Sequence, residues 1–494
     1  MTVLKQVYVY VFGDQTFDSA ETLRSLGQTH NDAVLADFLQ RSCVVLKREI
    51  ARLPAAQQLR CPRFAKIADL VSHSSSSSSS SNRAGALNPC LSQALTCVAQ
   101  LGLFIRQHGS GCQAYPTPEK SCLAGVCTGS LAAAAVSCAH SVSSLLEPAL
   151  HAVAVAARLG ALAWDVAGRI NDDDDDEDDG ERSGSTGEFA AWSYVVAGSS
   201  PKAVAEALKQ YAAETMLPVT SVPYISAIVG PTQSTVSGPP RVVTDFLASA
   251  VGKAVAPTSG LLPIAAPYHS ALLYSQGDVA RVLSGLPKSN LPVSRIPIVS
   301  TSADCREVAG GSTLRDVLEE AVRDCLQRQM ALNELPARLA QHVKLASGPV
   351  SETRTEVVIQ PVAFKGTERL APPLRRQLPS ELFSVREALH PLAGDAVPDS
   401  ISGLTGGANK SPIAILAASG RFPGRADTMD AFWDIFICGV DTHELVPPSR
   451  WNSSTHVGDT TTKKNVSGMG FGCWLHQASQ FDVAFFNMSP REAS

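Results

Sequence analysis

The sequence predicts an α/β fold in which a larger strand-and-helix domain is interrupted by a smaller βαββαβ unit. Three observations carry that prediction. Residues 6–12 (QVYVYVF) form a β-rich apolar run ending in Gly13-Asp14-Gln15-Thr16, as a buried strand ends in a loop at the carboxyl edge of an open sheet. Gly125-Val126-Cys127-Thr128-Gly129 has the G-x-nucleophile-x-G spacing of a strand-to-helix elbow, and the helix-forming stretch 131–136 (LAAAAV) follows it. From Trp192 to Ala265 the pattern runs strand, helix, strand, strand, helix, strand, the order of a ferredoxin-like unit.

Taken in order, the first strand is followed by amphipathic helices at 31–53 and 88–107. Between them, residues 74–81 are consecutive serines, which cannot bury a core and read as a surface insertion. After the elbow helix comes a long apolar helix at 144–168. It contains Ala157-Arg158-Leu159-Gly160, and an arginine so placed must pair or snorkel to solvent. The acidic run 172–179 reads as a solvated loop. The inserted unit, about 191–266, has strands at 192–198, 224–229, 234–237 and 261–265 and helices at 201–214 and 239–253. The chain leaves it at Ala266-Pro267-Tyr268-His269-Ser270 and continues with a strand at 297–300, a helix at 313–332 and a closing strand at 356–362. Residues 365–410, rich in proline, glycine and charge, read as a linker. A new domain starts near 411 with a strand at 412–417 and a helix at 428–437, and its pattern is that of a domain cut short.

Composition narrows the function. The 494 residues carry net charge −5, and the run 172–179 alone holds eight acidic side chains, so the rest is near +3 and offers no nucleic-acid surface. The twelve cysteines lack CxxC pairs and His-bearing metal spacing. Cys43, Cys97, Cys138, Cys325 and Cys438 sit in apolar helical stretches and read as small core residues. No secretory signal and no membrane-crossing run is read, so the expectation is a reducing, cytoplasmic setting.

The chemistry centres on Cys127. At a helix N-terminus, free N–H groups and the dipole favour a thiolate and hold an oxyanion. Taken alone, the same residues also read as a buried cysteine beside a glycine-rich turn. His269, taken alone, reads as a turn residue.

Five motifs in order and spacing resolve these alternatives: Phe12-Gly13-Asp14-Gln15-Thr16, the Gly125–Gly129 elbow, Ala157-Arg158-Leu159-Gly160, Val236-Ser237-Gly238-Pro239-Pro240 and Ala266-Pro267-Tyr268-His269. Together they resemble the starter-unit acyl-carrier-protein transacylase domain that opens fungal non-reducing polyketide synthases, nearest in wording to naphthopyrone and melanin pigment synthases. The resemblance covers about residues 5–365. Gly420-Arg421-Phe422-Pro423, Pro447-Pro448-Ser449-Arg450-Trp451 and the stretch 485–493 (FFNMSPREA) resemble the start of the β-ketoacyl synthase domain that follows.

The resemblance implies an acyltransferase fold (1–364), a linker (365–410) and an incomplete thiolase-like segment (411–494) without condensing activity. It implies Cys127 as nucleophile and His269 as general base and acid. Main-chain N–H groups of Gln15 and Thr128 would form the oxyanion hole, with Gly125 and Gly129 as elbow glycines. Arg158 is a substrate-binding candidate, since malonyl transferases place an arginine near here for a carboxylate; a structural role or a CoA phosphate are the alternatives. No cofactor or metal is expected on the chain. Acyl-CoA is the expected substrate, and the expected partners are a carrier domain bearing phosphopantetheine and other synthase domains, with no nucleic acid or membrane. No clear Asp or Asn orients His269; Asp304 is a candidate. A cysteine acyl hydrolase and an inactive docking fragment stand as the other readings.

Overall fold

The computed structural model describes residues 5–28, 32–74, 87–109, 113–172, 189–304, 310–347, 354–388, 420–478, 480, 482–483 and 488–489. The chain divides into two compact units, Met1–Val397 and Pro398–Ser494.

The strands of the first unit are β1 (Lys5–Phe12), β2 (Ser121–Gly125), β3 (Ser193–Ala197), β4 (Tyr224–Gly230), β5 (Gln233–Ser237), β6 (Thr258–Leu262), β7 (Ile298–Val299), β8 (Met330–Ala331), β9 (Thr355–Val362) and β10 (Phe383–Glu387). The main sheet runs β10-β9-β1-β2-β7, with every neighbouring pair parallel. Alternation along β1 shows why it is central. Val7, Val9 and Val11 face one core, with Leu339 and Leu374 from the helices Leu335–Ser347 and Thr367–Gln377. Tyr10 and Phe12 face the other, against Phe104 of the helix Pro89–Gly109.

The inserted sheet runs β6-β3-β5-β4-β8. Its first four strands have the ferredoxin-like order, antiparallel throughout, and β8 adds to β4 in parallel. The helix expected at 239–253 is two helices, Pro240–Ala248 and Ala250–Val255. Ser249 leaves helical geometry between them and caps the second through Gly252 N–H.

Several expectations are corrected. The helix expected at 313–332 ends at Leu326, and the chain turns through Gln327 to enter β8. The linker expected from Lys365 begins as structure: the helix Thr367–Gln377 packs on the sheet and β10 extends it. Val142–Asn171 is long and apolar enough by composition to cross a membrane, against the reading that no run is. Most of its apolar window, 72%, is buried in this unit, which accounts for its apolarity. Cys438 is exposed, whereas Cys43, Cys97, Cys138 and Cys325 are buried.

In the second unit, the helix Met429–Cys438 is capped by the Thr428 hydroxyl and stopped by Gly439 at φ +60°. Glu444–Leu445 pairs antiparallel with Phe471–Gly472, and the Trp451 and Trp474 rings meet edge to face. The expected strand at 412–417, most of 485–493 and nearly all of the polyserine and polyaspartate runs lie outside the described residues.

Candidate active site

Two adjacent parallel strands, β1 and β2, deliver their carboxyl ends to one place. Val126 N–H donates to Phe12 O at 2.9 Å, which carries the pairing one step past β2. Cys127 then takes φ +51°, a left-handed conformation that costs a side-chain-bearing residue energy and recurs at functional turns. The helix Gly129–Ser137 begins immediately, with Thr128 at its N-cap. Both elbow glycines are needed for close approach. A Cβ on Gly125 would lie 2.3 Å from Ser130 Cα, and one on Gly129 would lie 2.3 Å from Gly13 O.

His269 reaches the elbow from the loop that follows the inserted unit. Its Nε2 lies 3.1 Å from the Cys127 sulfur, and both residues are buried. Its Nδ1–H donates to the main-chain carbonyls of Asp324 (2.8 Å) and Arg328 (3.0 Å). The helix Leu314–Leu326 ends where it does for this purpose: its last carbonyls lack helical partners, and the His269 and Ser270 N–H groups take those of Cys325 and Leu326. Asp304 is exposed and is not among the described partners of His269. The imidazole thus sits at a helix C-terminus and the sulfur at a helix N-terminus, so both dipoles favour an imidazolium–thiolate pair.

Side chains fasten this carbonyl cradle. Arg328 Nη1 bonds Asp324 Oδ1 at 2.8 Å and Glu320 Oε2 at 2.7 Å, and Ser300 Oγ donates to Asp324 Oδ2 at 3.1 Å. Burial nevertheless pushes the Asp324 carboxyl above its ordinary pKa.

The electrostatics follow from these contacts. A hydrogen bond from the buried Cys325 thiol, and then the charge and hydrogen bond of His269, outweigh burial and hold the Cys127 thiol well below its ordinary pKa. Burial opposes a charged His269, but the Cys127 thiolate together with the Arg328 and Asp324 carbonyls outweighs it and raises the imidazole pKa. Cys325, bonded to that thiolate and buried, is pushed well up and stays a thiol.

Gln15 lies in the loop after β1. Asp14 Oδ1 accepts Thr16 N–H at 2.9 Å and the Thr16 hydroxyl at 2.5 Å, which turns the loop. No described residue accepts the Gln15 main-chain N–H. The Thr128 N–H helps to hold the Cys127 thiol pKa down. The structure therefore brings together Cys127, His269, Thr128 and Gln15.

Arg158 is engaged elsewhere. It does not snorkel freely: Nε and Nη2 each bond the Glu49 carboxylate at 2.9 Å, and Ser284 O takes Nη1. Glu49 is 3% exposed. The pair lines a cavity of about 500 Å³ with Arg52, Asp165 and Arg281, and neither Cys127 nor His269 is among its walls. Sequence reasoning missed Glu49, Cys325 and Gln93, since a partner distant in sequence leaves no local pattern.

Residues 10–269, more than half of the chain, match the family described as the starter unit:ACP transacylase in aflatoxin biosynthesis. The chain belongs to the starter unit:ACP transacylase family. Residues 410–494 match the N-terminal domain of β-ketoacyl synthase. Non-reducing polyketide synthase CTB1 of Cercospora nicotianae is 46% identical over 99% of this chain and 21% of its own length. Fungal pigment synthases are also similar. The conidial yellow pigment biosynthesis polyketide synthase melA of Penicillium expansum is 35% identical, and the conidial pigment polyketide synthase alb1 of Aspergillus fumigatus 33%, each over 98% of this chain and 21% of theirs. The chain spans about a fifth of the length of the curated relatives it matches. Among solved structures, a loading acyltransferase from the avermectin modular polyketide synthase aligns over 78% of this chain and 94% of its own, at 18% identity and TM-score 0.46. An acyl-carrier-protein S-malonyltransferase from Burkholderia pseudomallei aligns over 78% and 97%, at 16% identity and TM-score 0.47. The transacylase-family segment is thus followed by sequence of the ketosynthase N-terminal domain.

Proposed function

We propose that this domain loads a starter acyl group from acyl-CoA onto the phosphopantetheine thiol of a carrier protein, through an acyl-Cys127 thioester. The observation that carries the reading is the 3.1 Å contact between Cys127 and His269, with the imidazole Nδ1 held by the main-chain carbonyls of Asp324 and Arg328. The Cys127 thiolate attacks the thioester carbonyl carbon, a C–S bond forms, and the electron pair moves to oxygen. The Thr128 and Gln15 main-chain N–H groups receive that oxyanion, each such donor typically worth ~3 kcal/mol of barrier. Collapse expels the CoA sulfur, which takes the proton from His269 Nε2. The neutral imidazole then accepts the proton of the phosphopantetheine thiol, whose sulfur displaces Cys127 and carries the acyl group away.

The modest base suits this chemistry. A thiol near pKa ~8.5 loses its proton to imidazole far more readily than water at ~15.7. Among the described residues no carboxylate hydrogen-bonds His269 Nδ1, which supports thiol over water as the acceptor. The Arg158–Glu49 pair argues for a structural arginine and for starters without a carboxylate. Intact mass of the chain after exposure to acetyl-, malonyl-, butyryl- and hexanoyl-CoA tests the reading. One acyl mass is gained from a preferred monoacyl-CoA and lost in Cys127→Ala; a folded wild-type chain that gains none refutes it.

A further inference from the structure

The helix Pro89–Gly109 is buried along almost its whole length, yet it carries Gln93 and Gln100, both fully buried. They are seven residues apart, two helical turns, so both amides leave from one face. A buried amide is costly unless it is hydrogen-bonded, so its partners show what it is kept for. Both amides reach the loop after β1. Gln100 Nε2 donates to Gly13 O at 2.6 Å, and Gln93 Nε2 donates to the Gln15 side-chain oxygen. Gln93 has a second partner in the opposite wall: its Oε1 accepts the Thr128 hydroxyl. One amide therefore ties Gln15 to Thr128, which come from the ends of different strands. Among the described residues no other side chain bonds both.

We propose that Gln93 is a positioning residue that fixes the spacing of the two oxyanion donors. The assignment rests on the transfer reading above. Oxyanion donors act only when they lie about 2.7–3.1 Å from the developing charge. A misplacement of roughly 1 Å costs on the order of 100-fold. Thr128 is anchored by the helix it caps, but Gln15 sits in a loop. The Gln93 amide is the side-chain strut between them. Gln93 makes no hydrogen bond to Cys127 or His269, so its effect falls first on the acyl step.

Two reactions of the full chain separate these roles. Acyl-Cys127 formation from acetyl-, butyryl- and hexanoyl-CoA, followed by rapid quench and intact mass, passes through an oxyanion. Alkylation of Cys127 by iodoacetamide needs the thiolate but forms no oxyanion. Gln93→Met fills similar volume without hydrogen bonds. It is expected to slow acylation at saturating acyl-CoA by roughly 10- to 100-fold, with half-saturation and the pH profile of alkylation unchanged. Gln93→Glu keeps the acceptor for Thr128 and loses the donor to Gln15, and is expected to fall between. Thr128→Val removes only the hydroxyl end, so it carries the test if Gln93→Met does not fold, and it too should slow acylation while sparing alkylation. Unchanged acylation in the folded variants overturns the assignment, as does a parallel loss of acylation and alkylation. A wild-type chain that alkylates but takes up no acyl group overturns the transfer reading itself, and the assignment with it.

Discussion

His269 Nε2 lies 3.1 Å from the Cys127 sulfur, and the two side chains sit against opposite ends of two helices, the imidazole at a C-terminus and the sulfur at an N-terminus. Charge separation across that contact is favoured by both helix dipoles and by the Cys325 thiol.

Reactivity should therefore survive at low pH. The Cys127 pKa is lowered and that of His269 raised, so the ion pair is present across neutral pH. It is lost as pH falls through the lowered thiol value. Iodoacetamide alkylation should remain fast well below pH ~8.5, the ordinary cysteine value. In Cys325→Ala the midpoint should move up, because a donor to the thiolate is gone. An unmoved midpoint would deny Cys325 that part.

The cradle of His269 can be tested through the side chains that fasten it. Arg328→Met removes the bonds to Asp324 and Glu320 and leaves a buried carboxyl already pushed toward its neutral form. Acylation should fall at least ~10-fold through the misaimed base. His269→Ala should fall by ~10²–10⁴. Single-turnover acylation rates measure both.

Glu49 and Arg158 make a prediction about stability. Burial disfavours the Glu49 carboxylate, but Arg158 and Arg52 together outweigh it and hold the carboxyl below its ordinary range. The stabilisation is therefore complete above the unfolded value near ~4.3 and lost as pH falls through the lower folded value. Arg158→Ala leaves a buried charge without its main partner and should cost ~3–5 kcal/mol in denaturant unfolding. Acetyl-CoA uptake by the surviving folded protein should be little changed. A selective loss of malonyl-CoA uptake would instead make Arg158 a substrate clamp.

Gly129→Ala places a methyl about where Gly13 O and Phe12 O already lie, at 2.3 and 2.4 Å. The strand ends must separate, so a loss of more than ~3 kcal/mol is expected, together with loss of alkylation at Cys127. A stable, reactive variant would contradict the tight elbow.

The parts of this site that were legible are those a short motif can hold. Cys127, its two glycines and the loop at Gln15 are local patterns of turn and strand end, and β1 alternates as a strand with two buried faces must. The rest depends on long-range contact. The orienters of His269 are main-chain carbonyls, which no side chain announces, and they are free only because the helix ends at Leu326 and not at 332. Glu49 lies 109 residues from Arg158, so no spacing links them. Gln93 sits in an apolar helix where a glutamine reads as a solvent-facing position; only packing on all sides reveals it as buried. The segment after Lys365 looked like a linker because proline and charge dominate it, yet Leu370 and Leu374 sufficed to dock it.

The most direct test isolates the acylated chain free of CoA and mixes it with holo carrier protein, apo carrier protein or buffer, following the intact mass of both proteins. Transfer predicts that the acyl mass leaves the chain and appears on the holo carrier alone, while acyl-Cys127 persists in buffer. Rapid release of the free acid in buffer, with nothing gained by the holo carrier, would contradict it and make the site a hydrolase.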